Sequence, residues 1–120
     1  MTDEPLFPTA ADALLVLSTV PDQEKGRTIA RTLVEERLAA CVTVSGAAES
    51  FYWWEGRIAA EREFVLIIKT RTGIYPRLEA RLKALHPYSV PEIIALPVAS
   101  GHPAYLAWLE RETGGGGRKP

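Results

Sequence analysis

The sequence predicts an α+β fold of the ferredoxin-like kind (βαββαβ), an antiparallel four-stranded sheet with two helices on one face and an extra C-terminal helix. Three observations carry that expectation. Apolar and alternating runs interleave with stretches of helical period in the order strand, helix, strand, strand, helix, strand, helix, which is the split βαβ plan. At 120 residues the chain is one domain, long enough for a continuous core without disulfides or a structural metal. The third is SFYWWEG, Ser50 to Gly56, which sets Phe51, Tyr52, Trp53 and Trp54 in a row. On a strand, side chains alternate, so Phe51 and Trp53 point one way and Tyr52 and Trp54 the other. Both faces of that strand are therefore aromatic; either the second is an exposed apolar patch or another chain covers it, and burial by sibling subunits is expected.

ALLVLST (Ala13 to Thr19) is a short apolar run that reads as a buried strand, and Asp22 after Pro21 supplies a capping carboxylate for a helix. In that helix Ile29, Ala30, Leu33, Val34 and Leu38 recur at helical spacing, with Arg27, Arg31, Glu35 and Glu36 elsewhere. CVTVSGAAESFYWWEG then alternates Val42 and Val44 against Thr43 and Ser45, and Gly46 interrupts as a bulge or bend. Glu55-Gly56-Arg57 is a turn, and REFVLIIKT (Arg62 to Thr70) returns as a β-branched strand. A second helix runs from about Ile74 to Leu85, with Ile74, Leu78, Leu82 and Leu85 on one stripe, and stops at His86-Pro87. EIIALPV (Glu92 to Val98) is a further strand, and Gly101-His102-Pro103 opens the last helix, AYLAWLER. Residues 1–12 are expected to be a disordered N-terminal segment, 13–112 the domain, and 113–120 a flexible glycine-rich tail.

Composition removes several function classes. Fourteen basic against fifteen acidic residues leave a net charge of −1 and no basic patch, so no nucleic acid is expected as a partner. No apolar run approaches a membrane helix, and Asp3 and Glu4 stand where a signal peptide is basic; no membrane partner and a cytoplasmic protein are expected. The single Cys41 forms no internal disulfide, no zinc spacing occurs, and a reducing compartment is permitted.

One polar constellation stands apart from packing. Lys69 lies inside a strand between Ile68 and Thr70, Glu92 follows Pro91, and Tyr88 stands between two prolines; with the polar tips of Tyr52 and Trp54 they form a cleft with charge at its base, suited to a small anion or metabolite. The plainer reading is an interface ion pair that satisfies a buried lysine. Trp53 and Trp54 read as interface core rather than a base-stacking platform, because no basic groove accompanies them. Cys41 reads as a small buried hydrophobe, His102 as a loop residue, and His86 as either a helix C-cap or a metal ligand. No nucleophile-base pair and no phosphate loop is present.

LSTVPD (Leu17 to Asp22), ERLAACV (Glu36 to Val42), YWWEG (Tyr52 to Gly56), IIKT (Ile67 to Thr70), LHPYSVPEIIALPV (Leu85 to Val98) and GHPAYLAWL (Gly101 to Leu109) fall in order over about Ala13 to Arg111. In these blocks the sequence resembles the CutA divalent-cation-tolerance family. The resemblance implies a homotrimer of ferredoxin-like subunits with inward sheets and embracing hairpins, a non-enzymatic role in the response to divalent metal ions, and copper as the foremost ligand. In family members that carry a copper site, a first-strand cysteine and a histidine pair supply it. Ser18 and Leu85 stand at two of those places here, and His86 alone matches, a weak metal site by itself. A PII-like signalling trimer with ligand clefts between subunits is the second reading, and an enzyme using Lys69, Tyr88 and Glu92 as acid and base groups the third.

Overall fold

The structure is a computed structural model that describes residues 12–114; the expectations for residues 1–11 and 115–120 lie outside the described residues. In chain order the elements are β1 (Ala13–Val20), α1 (Gln23–Glu35), β2 (Cys41–Trp54), β3 (Arg57–Arg71), α2 (Tyr75–Leu85), β4 (Ile94–Pro97) and α3 (Pro103–Arg111). The sheet runs β2-β3-β1-β4 with every neighbouring pair antiparallel, the ferredoxin-like order expected.

Local chemistry sets the boundaries. Asp22 is extended, and its Oδ1 accepts from the Lys25 amide at 2.7 Å, so α1 begins where the sequence places its cap. Pro76 occupies the first turn of α2, and His86, held extended at φ −77 and ψ 139 before Pro87, ends it. Gly26 lets α1 approach the sheet closely: a methyl group there would sit 3.1 Å from Val20 Cγ2 and 3.4 Å from Val44 Cγ1.

Alternation along the strands builds two different faces. Val16 and Val20 of β1 and Leu66 and Ile68 of β3 are fully buried against Ile29 and Leu33 of α1 and Leu78 and Leu82 of α2. Their neighbours point away from the helices. The register aligns Leu15 with Lys69 and Leu96, Leu17 with Ile67 and Ile94, and Thr19 with Val65, so these side chains share the uncovered face. Ile94 and Leu96 remain 50% and 44% exposed on it. One end is closed by α3, whose Leu109 packs on Ala13 and Ala40.

Three details differ from the sequence reading. The returning strand starts at Arg57 rather than Arg62, because its pairing with β2 from Trp53↔Ile58 through Ala48↔Glu63 continues as an arm beyond the end of β1. The fourth strand is shorter, Ile94–Pro97 instead of Glu92 to Val98. Thr113 and Gly114, assigned to the tail, are packed: the buried Thr113 hydroxyl accepts from Arg71 Nε at 2.8 Å, and the Gly114 amide donates to the Arg37 carbonyl at 2.7 Å. Arg71 on β3 reaches the segment after α3 with a fork of donors that composition alone does not reveal.

Candidate functional site

The polar groups of the uncovered face divide into two clusters. At the α3 end, Lys69 is half-buried; its Nζ donates to Thr43 Oγ1 at 2.9 Å and lies 3.7 Å from Cys41 Sγ. The register of β2 with β3 produces this grouping, because Cys41 stands opposite Lys69 and Thr43 opposite Ile67 on one face. Cys41 is thus half-buried beside an ammonium group, and not the fully buried hydrophobe expected.

At the base of the arm, the Tyr88 hydroxyl donates to Glu63 Oε2 at 2.9 Å. Glu63 is only 7% exposed. Burial, then the hydrogen bond and charge of Glu63, with smaller effects of Tyr52 and Glu61, push the Tyr88 phenol up to about 12. Tyr52 and Trp54 lie on the same side of the arm as Glu63, since Ala48 pairs with Glu63, Tyr52 with Ala59 and Trp54 with Arg57. Trp53 and Phe51 occupy the other side. Both sides of the arm are aromatic, as the alternation requires, and Trp53, Phe51 and Trp54 are 73%, 66% and 62% exposed.

The five expected cleft residues therefore do not meet within one chain. Lys69 and Glu63 are six residues apart on β3, about 20 Å at the usual strand rise. Trp54 sits at the arm's tip, and Glu92 is exposed ahead of β4. Two surface hollows, of about 430 and 220 Å³, lie elsewhere, the first beside Val34 and Trp108 and the second beside Glu79 and Val90. Lys69, Tyr88 and Glu92 form no acid-base constellation in the chain. Sequence reasoning missed Glu63; the signal was its place in alternation with Val65 and Ile67, which sets a carboxylate on an apolar face.

His86 is 8% exposed, and both its ring nitrogens are engaged. Nε2 lies 2.7 Å from the Thr19 carbonyl oxygen and Nδ1 lies 3.1 Å from the Tyr88 amide. A carbonyl only accepts and an amide N–H only donates, so Nε2 carries the hydrogen and the Nδ1 lone pair is used. No lone pair is left for a metal. His86 holds the C-cap position of α2, and its ring bonds β1 to the loop that follows. Ser18 points to the helical side, fully buried, with no hydrogen-bond partner for its hydroxyl. Its neighbour across the ladder is the buried Leu66, and Leu85 offers no donor atom. His102 caps α3, its Nδ1 accepting from the Tyr105 amide at 3.3 Å. Among the described residues no cluster of three or more His, Cys, Asp or Glu is placed to hold a metal ion. The residues of a single chain do not fit the copper site that the resemblance implies.

Residues 14–112 match the family described as CutA1 divalent ion tolerance protein. The chain belongs to that family. It is 53% identical over 100 residues to the divalent-cation tolerance protein CutA of Thermus thermophilus, covering 83% of this chain and 97% of that protein. It is 44% identical to the chloroplastic protein CutA 1 of Oryza sativa over 88% of this chain and 59% of that one. Among solved structures, the Cut A1 protein of Thermus thermophilus superposes with a TM-score of 0.83 at 52% identity, covering 85% of this chain and 99% of that one. The periplasmic divalent cation tolerance protein CutA of Archaeoglobus fulgidus gives 0.80 at 37% identity, covering 83% and 97%. Among the described residues, no helix is long and apolar enough to cross a membrane.

Proposed function

We propose that this chain acts in divalent-cation tolerance as a non-enzymatic homotrimer in the cytoplasm. The observation that carries the assembly is the uncovered sheet face, where Leu15, Leu17, Val65, Ile67, Ile94 and Leu96 lie together and continue into an arm with exposed rings on both sides. A chain in isolation rarely leaves so much contiguous apolar surface in water. Family membership supports the tolerance role, and the dispersal of Tyr52, Trp54, Lys69, Tyr88 and Glu92 over the chain gives no support to a small-molecule sensor. The unpaired Cys41 suits a reducing compartment.

Copper enters this reading only as a weakly held ion. Ligation by His86 would require it to give up the Tyr88 amide or the Thr19 carbonyl, and Ser18 and Leu85 supply no soft donor. Sedimentation equilibrium at micromolar concentration tests the assembly: three times the 13.2 kDa chain mass is expected, and a monomer overturns it. Calorimetric titration with Cu(II) at pH 7.5 tests the metal. Weak binding is expected, and submicromolar binding that survives His86→Ala would place the metal elsewhere.

A further inference from the structure

Two charged groups on the uncovered face lack a charged partner. Glu63, 7% exposed, is bonded to the neutral phenol of Tyr88, and Lys69, half-buried, is bonded to the neutral hydroxyl of Thr43 with the Cys41 sulfur near. Among the described residues, neither takes part in an ion pair; the three that occur join Arg27 to Glu24, Arg37 to Glu112 and Arg81 to Glu36. Removing a charge from water without an opposite charge beside it is costly, and neutral hydrogen bonds offset only part of that. The pair cannot close within the chain. Both side chains leave the same face of β3, but their attachment points are about 20 Å apart, and extended lysine and glutamate side chains together span about half of that. Between them lie Val65 and Ile67, flanked by Leu15 and Leu17 of β1.

The face is thus an apolar stripe with an acid at one end and a base at the other. We propose that Lys69 of one chain pairs with Glu63 of a neighbouring chain, closing a head-to-tail contact in which each subunit gives its base to one neighbour and its acid to the other. The proposal rests on the trimer reading and specifies its geometry. A contact between two different patches repeats around a rotation axis, and a ring that closes leaves neither charge unpaired. Glu61 and Glu92 are the competing acids. Glu61 lies two residues from Glu63 on the same face of the arm, but both are exposed and already solvated, so each gains less from an ammonium partner than the buried Glu63.

The test is a double-mutant cycle on trimer dissociation, followed by sedimentation across a dilution series. Glu63→Gln retains an acceptor for Tyr88 and Lys69→Met retains volume, so both variants are expected to fold. Each single change should weaken the trimer roughly tenfold or more, and the double variant should be no weaker than the weaker single. Charge exchange adds an independent arm: Lys69→Glu and Glu63→Lys should each dissociate the trimer, and their combination should recover it. A wild-type trimer with additive effects of Lys69→Met and Glu63→Gln overturns the pairing, as does coupling of Lys69 to Glu61→Gln or Glu92→Gln instead. A wild-type monomer overturns the trimer reading itself, and the two failures are told apart by that first measurement.

Discussion

Tyr88 and Glu63 stand 25 residues apart in the chain, yet their side chains meet at 2.9 Å and fasten the loop after α2 to the base of the β2-β3 arm. The Tyr88 backbone amide is held in turn by His86 Nδ1, and His86 Nε2 by the Thr19 carbonyl. Loop, arm and first strand are thereby joined through three hydrogen bonds.

Removing the phenolic hydroxyl in Tyr88→Phe should lower stability by about 1.5–3 kcal/mol, the usual range for a hydrogen bond to a charged group. Urea unfolding at pH 7 reads this directly; an unchanged midpoint would mean that water replaces the phenol at no cost. The alkaline limb adds a second signature. Because the folded-state phenol is raised to about 12 from 10, the unfolded chain loses that proton first, and the folded state binds more protons between those values. Stability from this group is complete below pH 10 and falls as pH rises toward 12. Tyr75 and Tyr105 are also raised, chiefly by burial, so Tyr88→Phe should reduce the alkaline slope without abolishing it.

Ser18→Ala should raise stability by about 1 kcal/mol. The Ser18 hydroxyl is fully buried without a partner, and an unsatisfied buried hydroxyl costs roughly 1–3 kcal/mol, less the small volume lost. A fall in melting temperature would show that the hydroxyl has a partner in solution.

Gly114→Ala should destabilise by about 1–2 kcal/mol or more. Gly114 sits at φ +66, and an added methyl group would lie 2.8 Å from Arg71 Nη2 and closer still to Ile74 Cδ1. Thermal unfolding reads the loss, and a neutral result would show that the segment after α3 contributes nothing to the domain.

Trp54→Ala should leave the fold of the single chain nearly intact while weakening the trimer by about 2 kcal/mol or more, as expected of a tryptophan buried between subunits. Its side chain is 62% exposed within the chain, so little intrachain packing is lost. Sedimentation and the concentration dependence of the melting temperature check this; a trimer as tight as wild type would place Trp54 outside the interface.

The fold was legible because local signals agreed. Asp22 caps, Pro87 stops, Leu78 and Leu82 keep helical spacing, and Leu66 and Ile68 alternate with Ile67. The candidate site was less legible, since it depends on which residues stand opposite one another. Lys69 was recognised as unusual, but its neighbours Cys41 and Thr43 follow only from the β2-β3 register. Glu63 drew no notice in the sequence, because its bond to Tyr88 depends on where the loop after α2 lies. For His86 the sequence left a cap and a ligand open; the residue holds the C-cap position and its ring is a cross-brace, which requires knowing that the Thr19 carbonyl lies beside it.

The break in pairing between Val44 and Ala47 acts on the arm like a shift of reading frame. Three steps along β2 match two along β3, from Val44↔Leu66 to Ala47↔Phe64, and the Ser45 hydroxyl occupies the gap by accepting from the Val65 amide at 2.8 Å and donating to the Gly46 carbonyl at 2.7 Å. Before the break, odd-numbered residues of β2 share the face of Lys69; after it, even-numbered residues do. Had the pairing run on through Ser45 and Gly46 without the break, odd-numbered residues of β2 would have stayed on the face of Lys69, which would set Phe51 and Trp53 on the side of Glu63 and Tyr52 and Trp54 away from it. One inserted residue thus decides which pair of aromatics each side of the arm displays, although every ring keeps its place in the chain.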